Sequence, residues 1–209
     1  MNAPNLTSSN PFATRWVRPG AIAYRFAESE DANVLVDRLR ALAWRGQIIG
    51  PHGVGKSTLL ASLIEPLKAK GRQPVLVALR DGQRTLGVDL SRRAEAQSAV
   101  VVIADGYEQL GWWSRFRLRR LCGRRNWGLL VTAHTDVGLP TICEVRGDLA
   151  AVQSLVRDLL PAGDRTIGDA DVAAEFDRQG GNVRETLFGL YDVYQRRRLA
   201  ERGKPDGAT

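Results

Sequence analysis

The feature that most constrains the fold is the nonapeptide GPHGVGKST, residues 50–58. Its spacing, a glycine, four residues and then Gly-Lys-Ser, is typical of a loop that wraps a phosphate group. A short apolar segment, residues 47–49, precedes the loop. Apolar residues at helical spacing follow it: Leu59, Leu60, Leu63, Ile64 and Leu67. Strand, loop and helix in this order are the context that a phosphate-binding loop requires, and an ordinary glycine turn explains the segment poorly.

We expect the whole loop to take part in nucleotide binding. Its residues are Gly50, Pro51, His52, Gly53, Val54, Gly55, Lys56, Ser57 and Thr58. The glycines let the backbone curl so that successive N–H groups point at one phosphate, and the following helix adds the positive end of its dipole. Lys56 is predicted to bridge the outer phosphates, and Ser57 to place its hydroxyl on Mg²⁺.

Downstream segments alternate as an α/β nucleotide-binding fold requires. Buried apolar runs predict strands at 74–79, 99–104, 128–133 and 141–145, with a short helix at 89–97. Together with residues 47–49 and the phosphate-binding loop they predict a three-layer P-loop NTPase fold with a five-stranded parallel sheet. Ligands of such sheets bind beyond the carboxyl ends of the strands, so we expect Asp105 and His134 to face the loop.

The segment VVVIADGYEQL, residues 100–110, raises the question of hydrolysis. Asp105 ends an apolar run, where the Mg²⁺-supporting carboxylate of an NTPase belongs; an Asp-Gly turn is the alternative. Gly106 stands where ATP-hydrolysing enzymes commonly carry a water-activating carboxylate. Glu108 then has two interpretations, a displaced catalytic base or a solvated residue of the next turn.

GPHGVGKST and the stretch GGNVRETL, residues 180–187, together resemble the AAA+ division of P-loop ATPases. The resemblance runs over residues 30–197 and includes small bacterial relatives of origin-recognition and transposition-helper ATPases. It implies that Arg184 is a lid sensor of the γ-phosphate and that His134 is the first sensor; the alternatives are a surface arginine and a strand-end histidine. It also implies an N-terminal segment over the adenine, where core packing is the alternative role of Trp16, Val17 or Tyr24.

Four segments are predicted. They are an extended arm at 1–29, a nucleotide-binding domain at 30–147, a helical lid at 148–198 and a flexible tail at 199–209. Apolar stripes at helical spacing support the lid: Leu149, Val152, Val156 and Leu159 form one, and Val183, Leu187, Leu190 and Tyr194 form another.

The segment WWSRFRLRRLCGRRNW, residues 112–127, is basic and aromatic. Its six arginines are Arg115, Arg117, Arg119, Arg120, Arg124 and Arg125, and it holds no acid. Leu110, Trp113 and Leu121 are expected to form a packing stripe. Two interpretations stay open: a sheet-covering helix with a basic solvent face, or a contact for nucleic acid or an acidic protein, with Trp112 or Trp127 stacking.

Three functions fit these features. The first is an ATP-binding, slowly hydrolysing, Mg²⁺-dependent switch, with Lys56, Glu108, His134 and Arg184 as catalytic residues. The second is a small-molecule or nucleoside kinase in which Asp81 or Arg84 touches the acceptor. The third is a non-hydrolysing, nucleotide-dependent binding module.

Composition narrows the setting of these functions. ATP is expected over GTP because no Asn-Lys-x-Asp segment appears. The net charge of +7 permits an acidic partner, and no apolar run is long enough for a membrane span. Cys122 and Cys143 lack metal-ligand spacing, which favours reduced thiols in the cytoplasm.

Overall fold

The computed structural model describes residues 10–14, 23–26, 30–79, 82–87, 90 and 99–202. In chain order the elements are α1 (Ala32–Ala41), β1 (Arg45–Ile49), α2 (Lys56–Ala69), β2 (Gln73–Ala78), β3 (Val100–Asp105), a 3₁₀ turn (Tyr107–Gln109), α3 (Trp112–Arg125), β4 (Gly128–Ala133), β5 (Thr141–Glu144), α4 (Leu149–Leu159), α5 (Asp169–Arg178) and α6 (Val183–Arg202). The helix predicted at 89–97 lies outside the described residues except for Leu90, as do Trp16, Val17, Asp81 and the tail from residue 203.

The five strands form one parallel sheet in the order β2-β3-β4-β1-β5. This confirms the predicted five-stranded α/β fold of a P-loop NTPase. All six residues of β4 are buried, and so are all those of β3 before Asp105. Strands covered on both faces need no polar alternation, which is why they read as continuous apolar runs.

The first compact unit contains the sheet, and its described parts fall within residues 23–52 and 56–145. One face of the sheet packs on Leu118 and Cys122 of α3. Its strand residues alternate, as a pleated sheet requires: Val75 and Val77, Val100, Val102 and Ala104, and Leu129 and Val131. Val101, Ile103 and Leu130 are fully buried on the opposite face.

The second compact unit contains residues 53–55 and the helices α4, α5 and α6. The two stripes predicted from helical spacing meet in one apolar cluster there. Phe12 joins this cluster fully buried, with its ring edge-on to Tyr194 at 5.9 Å, and Asn10 Nδ2 donates to the Tyr191 carbonyl. The described start of the N-terminal segment therefore completes the helical core. The four-segment division remains a prediction.

No helix in the described part of the chain is both long and apolar enough to span a membrane.

Candidate functional site

The loop between β1 and α2 encloses its own lysine. Lys56 is only 9% exposed, and its Nζ donates to the carbonyl oxygens of Gly50 and Pro51, both at 2.6 Å. Burial lowers the pKa of Lys56, while the nearby carboxylates of Glu108 and Asp105 oppose that shift. The loop thus holds one buried cation, with two carboxylates close enough to influence it.

The apex of the loop touches the start of α6. Gly53 has a φ of +77°, and a Cβ there would lie 1.9 Å from Asn182 Oδ1. The backbone N–H of Arg184 donates to the Gly53 carbonyl at 3.1 Å. Asn182 also caps α6, because its Oδ1 accepts from the Glu185 N–H. Gly53, Asn182 and Arg184 all belong to the second compact unit, where the loop apex and the start of α6 form one hydrogen-bonded cluster.

A buried threonine joins the ends of β3 and β4. Thr132 is 1% exposed; its hydroxyl donates to Asp105 Oδ1 at 2.6 Å and accepts from the Gly106 N–H at 2.8 Å. The hydroxyl therefore fixes both the carboxylate and the peptide that follows it. We expected Asp105 at this edge of the sheet, but the spacing of residues gave no sign that Thr132 holds it.

Gly106 turns the chain so that Glu108 reaches toward the loop. Its φ is +80°, in the left-handed region, and a Cβ there would lie 3.2 Å from the Leu79 carbonyl oxygen. A residue with a side chain is disfavoured at this position. The 3₁₀ turn then brings Glu108 Oε1 within 3.2 Å of His134 Nε2. Glu108 Oε2 is buried and finds no hydrogen-bond partner among the described residues.

Two arginines of α3 hold that turn in place. Arg115 donates through Nε to the Leu110 carbonyl at 2.8 Å and through its terminal nitrogen to the Glu108 carbonyl at 2.6 Å. Arg119 donates to the Tyr107 hydroxyl at 3.0 Å and to the Val137 carbonyl. For both, the sequence left open a contact to a partner or a place on a basic solvent face; the structure gives them these internal bonds. Their shared helical face was visible in the sequence, but their acceptors were not.

The histidines of the loop and of the β4 end lie together. The rings of His52 and His134 are nearly perpendicular, with centroids 5.5 Å apart. His134 is therefore placed between the loop and Glu108, as expected for a residue that follows β4, the strand between β1 and β3. The imidazole of His134 can therefore hydrogen-bond to another group at the carboxyl edge of the sheet and hold that group in place.

The donor set fits a small hard cation bound together with phosphate. Asp105 and Ser57 offer a carboxylate and a hydroxyl oxygen, the ligand types that Mg²⁺ prefers. Across the described ranges no three His, Cys, Asp or Glu residues cluster as a metal site. Mg²⁺ in nucleotide sites is bound by one or two protein oxygens plus phosphates and water, so this sparse set suits it.

The remaining predicted residues lie as follows. Arg184 is exposed, with its guanidinium over the Phe188 ring at 5.4 Å. Tyr24 packs edge-on against Phe26 at 5.0 Å. The expected packing role of Trp113 is wrong, because its side chain is 65% exposed. Helix α3 instead buries Leu118 and Cys122, which lie on another face of the helix.

Comparison with solved structures finds the same fold in other proteins, among them DnaA and Hsp104. The replication initiator DnaA bound to AMPPCP and single-stranded DNA matches with a TM-score of 0.55 and 13% identity over 82% of this chain and 63% of that one. AMPPCP-bound DnaA from Aquifex aeolicus matches at 0.54 and 15%, over 86% and 68%. S. cerevisiae Hsp104 in a casein complex matches at 0.57 and 15%, over 91% and 41%.

No protein-family model and no curated protein matches the chain. The chain spans between 41% and 68% of the length of the three structures. At these identities the likeness concerns the fold alone, and it confirms the AAA+-like P-loop fold predicted from the two glycine-containing motifs.

Proposed function

We propose that the protein is a Mg²⁺-dependent ATP-binding switch that hydrolyses ATP slowly. The observation that carries this proposal is the cluster of Lys56, Asp105 and Glu108 at the carboxyl edge of the sheet, beside a glycine loop of the phosphate-binding type. Support for ATP comes from the two DnaA structures of the same fold, which are bound to AMPPCP. The two free cysteines suit a reducing compartment, and we propose the cytoplasm.

The roles of the residues follow from their chemistry. Loop N–H groups would hold the phosphates, and Lys56 would exchange its two carbonyl acceptors for phosphate oxygens. Ser57 and Asp105 would hold Mg²⁺, which when bound neutralises phosphate charge. Glu108 would accept a proton from the attacking water through its unpartnered Oε2, and His134 would orient the carboxylate through Oε1.

Slow turnover follows from the geometry of Gly106. A carboxylate directly after Asp105 would need a left-handed backbone and would crowd the Leu79 carbonyl. The base must therefore come from Glu108, on a short turn that Arg115 holds through its backbone. A base on this turn approaches from a different position than a carboxylate directly after Asp105 would, and misplacement by about 1 Å can cost about 100-fold in rate.

The switch would run through the loop apex. Phosphate bound to loop amides would reorient the Gly53 peptide, whose carbonyl accepts from the Arg184 N–H. Asn182 packs against the same glycine and caps α6. Occupancy of the loop would thereby alter the first turn of α6, and Arg184 would reach the γ-phosphate in the nucleotide-bound state.

Calorimetric titration with ATP and Mg²⁺ tests this proposal. We expect wild-type protein to bind ATP, and Lys56→Ala to weaken binding at least tenfold. Lys68→Ala is the matched control, because Lys68 lies on the same helix, exposed and paired with Glu65. Equal ATP affinity in wild type and Lys56→Ala would overturn the proposed site.

A second candidate is the non-hydrolysing, nucleotide-dependent binding module, which Gly106 favours because it removes the usual carboxylate. For either function we propose an acidic partner, nucleic acid or protein. The supporting feature is the set of exposed arginines on α3: Arg117, Arg120, Arg124 and Arg125. ATP binding with turnover at background in wild type would select the binding module.

A further inference from the structure

The start of α3 exposes three aromatic rings that pack on one another. Trp112 and Trp113 are each 65% exposed and Phe116 is 49% exposed. The two indoles stack at 4.1 Å with an interplanar angle of 18°, and Phe116 meets them edge-on at 6.4 and 6.1 Å. We call these three residues the aromatic surface. Exposed apolar clusters of this kind mark sites of interaction.

Exposed arginines are interleaved with the aromatic surface. At about 100° per residue, the order round the helix is Trp112, Phe116, Arg120, Trp113, Arg124 and Arg117, within roughly 140°. All of these side chains are exposed. No acidic residue occurs from residue 109 to residue 135. Rings and positive charges therefore share one face of α3.

We propose that this face of α3 binds single-stranded nucleic acid. Bases can stack on the outer faces of the paired indoles, while phosphates meet the arginines between and beside the rings. A duplex keeps its base faces covered. A membrane-binding helix separates its apolar face from its cationic face, whereas here the two are mixed. The continuous positive charge complements a phosphate backbone.

The length of this face of α3 sets the number of nucleotides that it can bind. Trp112 and Arg124 are twelve residues apart, or about 18 Å along the helix. At about 3.4 Å per stacked base, this length accommodates about five nucleotides. Single-stranded nucleic acid would be the partner of the proposed switch. Binding at this face does not require the proposed function; only an effect of ATP on that binding rests on it.

Fluorescence anisotropy of a labelled ten-nucleotide oligothymidylate tests the inference. We expect the double variant Trp112→Ala, Trp113→Ala to weaken binding about tenfold or more. Because both side chains are exposed, the thermal midpoint should stay near that of wild type. Replacing both with phenylalanine should restore most of the affinity, since a ring face is kept.

The arginines are tested with charge-matched variants. We expect Arg117→Ser with Arg120→Ser to weaken binding and to make the slope of log affinity against log salt shallower by about 1.4, or 0.7 for each lost phosphate contact. Arg40→Ser with Arg165→Ser changes the net charge equally at exposed sites on other segments, and should leave the slope unchanged.

The outcomes separate the alternatives. Equal affinity of wild type and the double alanine variant overturns the inference, as does equal affinity for a ten-base-pair duplex. Binding of anionic lipid vesicles or polyglutamate in preference to the oligonucleotide assigns the face to a membrane or an acidic protein, and also overturns it. Wild-type protein should bind the oligonucleotide in the absence of ATP, so failure of the nucleotide site, measured by ATP calorimetry, is recognised separately.

Discussion

Replacing Thr132 with valine should destabilise the protein through one lost hydroxyl. The side chain is almost fully buried, and valine has nearly the same shape, so no cavity is created. The hydroxyl donates to the Asp105 carboxylate and accepts from the Gly106 N–H. A bond to a charged group contributes about 1.5–3 kcal/mol and a neutral one about 0.5–1.5 kcal/mol. We therefore expect Thr132→Val to cost about 3 kcal/mol.

For a chain of 209 residues, this cost lowers the thermal midpoint by about 6–12 °C, at roughly 2–4 °C per kcal/mol. Differential scanning calorimetry measures the midpoint directly. Thr135→Val is the matched control, because Thr135 lies three residues further on and is exposed. A midpoint for Thr132→Val within 1–2 °C of wild type, as expected for the control, would refute the account of Thr132 as the residue that fixes Asp105.

Three further changes test other parts of the structure. Gly106→Ala should lower the free energy of unfolding, measured with urea, by more than Gly82→Ala does. Both glycines have a φ near +80°, but only a Cβ at position 106 meets a neighbouring atom, so equal losses would contradict the crowding at Gly106. Asp171→Asn should destabilise less at pH 3 than at pH 7, since hydrogen bonds from Arg197 lower the pKa of Asp171 and their stabilisation is lost as the pH falls through that pKa; an equal effect at both pH values would disprove this. ATP affinity should fall as the pH approaches 10, because burial lowers the pKa of Lys56 from 10.5 and the ammonium therefore loses its charge at a lower pH than an exposed lysine does. Calorimetry at pH 7 to 10 should show a smaller fall in affinity for Lys56→Arg, because a guanidinium stays charged over this range.

The sheet was predictable because its strands are covered on both faces. Residues 128–133 were predicted with the bounds that the structure has, and the other strands to within two residues at each end. The helical stripes after β5 were predictable for the same reason, since burial of one face imposes a 3.6-residue period. These features depend on local pattern and apolar burial, which the sequence carries directly.

The site was less predictable because it depends on bonds between distant segments. Lys56 and Asp105 follow from motif and strand position. The bond from Thr132 to Asp105 joins residues 27 positions apart, and no local pattern marks it. The prediction that Trp113 packs in the core was wrong for a related reason. Its spacing from Leu110 suited a packing stripe, but the residues that α3 buries are Leu118 and Cys122. Spacing identifies a face of a helix, and only the packing decides which face is buried.

The left-handed Gly106 explains the unusual sequence after Asp105. The conformation disfavours a carboxylate at that position and starts the turn that carries Glu108 toward Lys56 and His134. Sequence alone left Glu108 with two interpretations. Its buried, unpartnered Oε2 is a reason to propose it as the base.

The most direct test of the central claim is steady-state ATP turnover by wild type and Glu108→Gln, with Mg²⁺ and with ATP affinity measured in parallel. Glu65→Gln, an exposed glutamate on α2, is the control. We expect slow turnover in wild type and in the control. Turnover should be about 100-fold lower in Glu108→Gln at nearly unchanged ATP affinity, because one lost transition-state stabiliser costs about 3 kcal/mol. Wild-type turnover at background, or a real turnover that Glu108→Gln leaves unchanged, would contradict it.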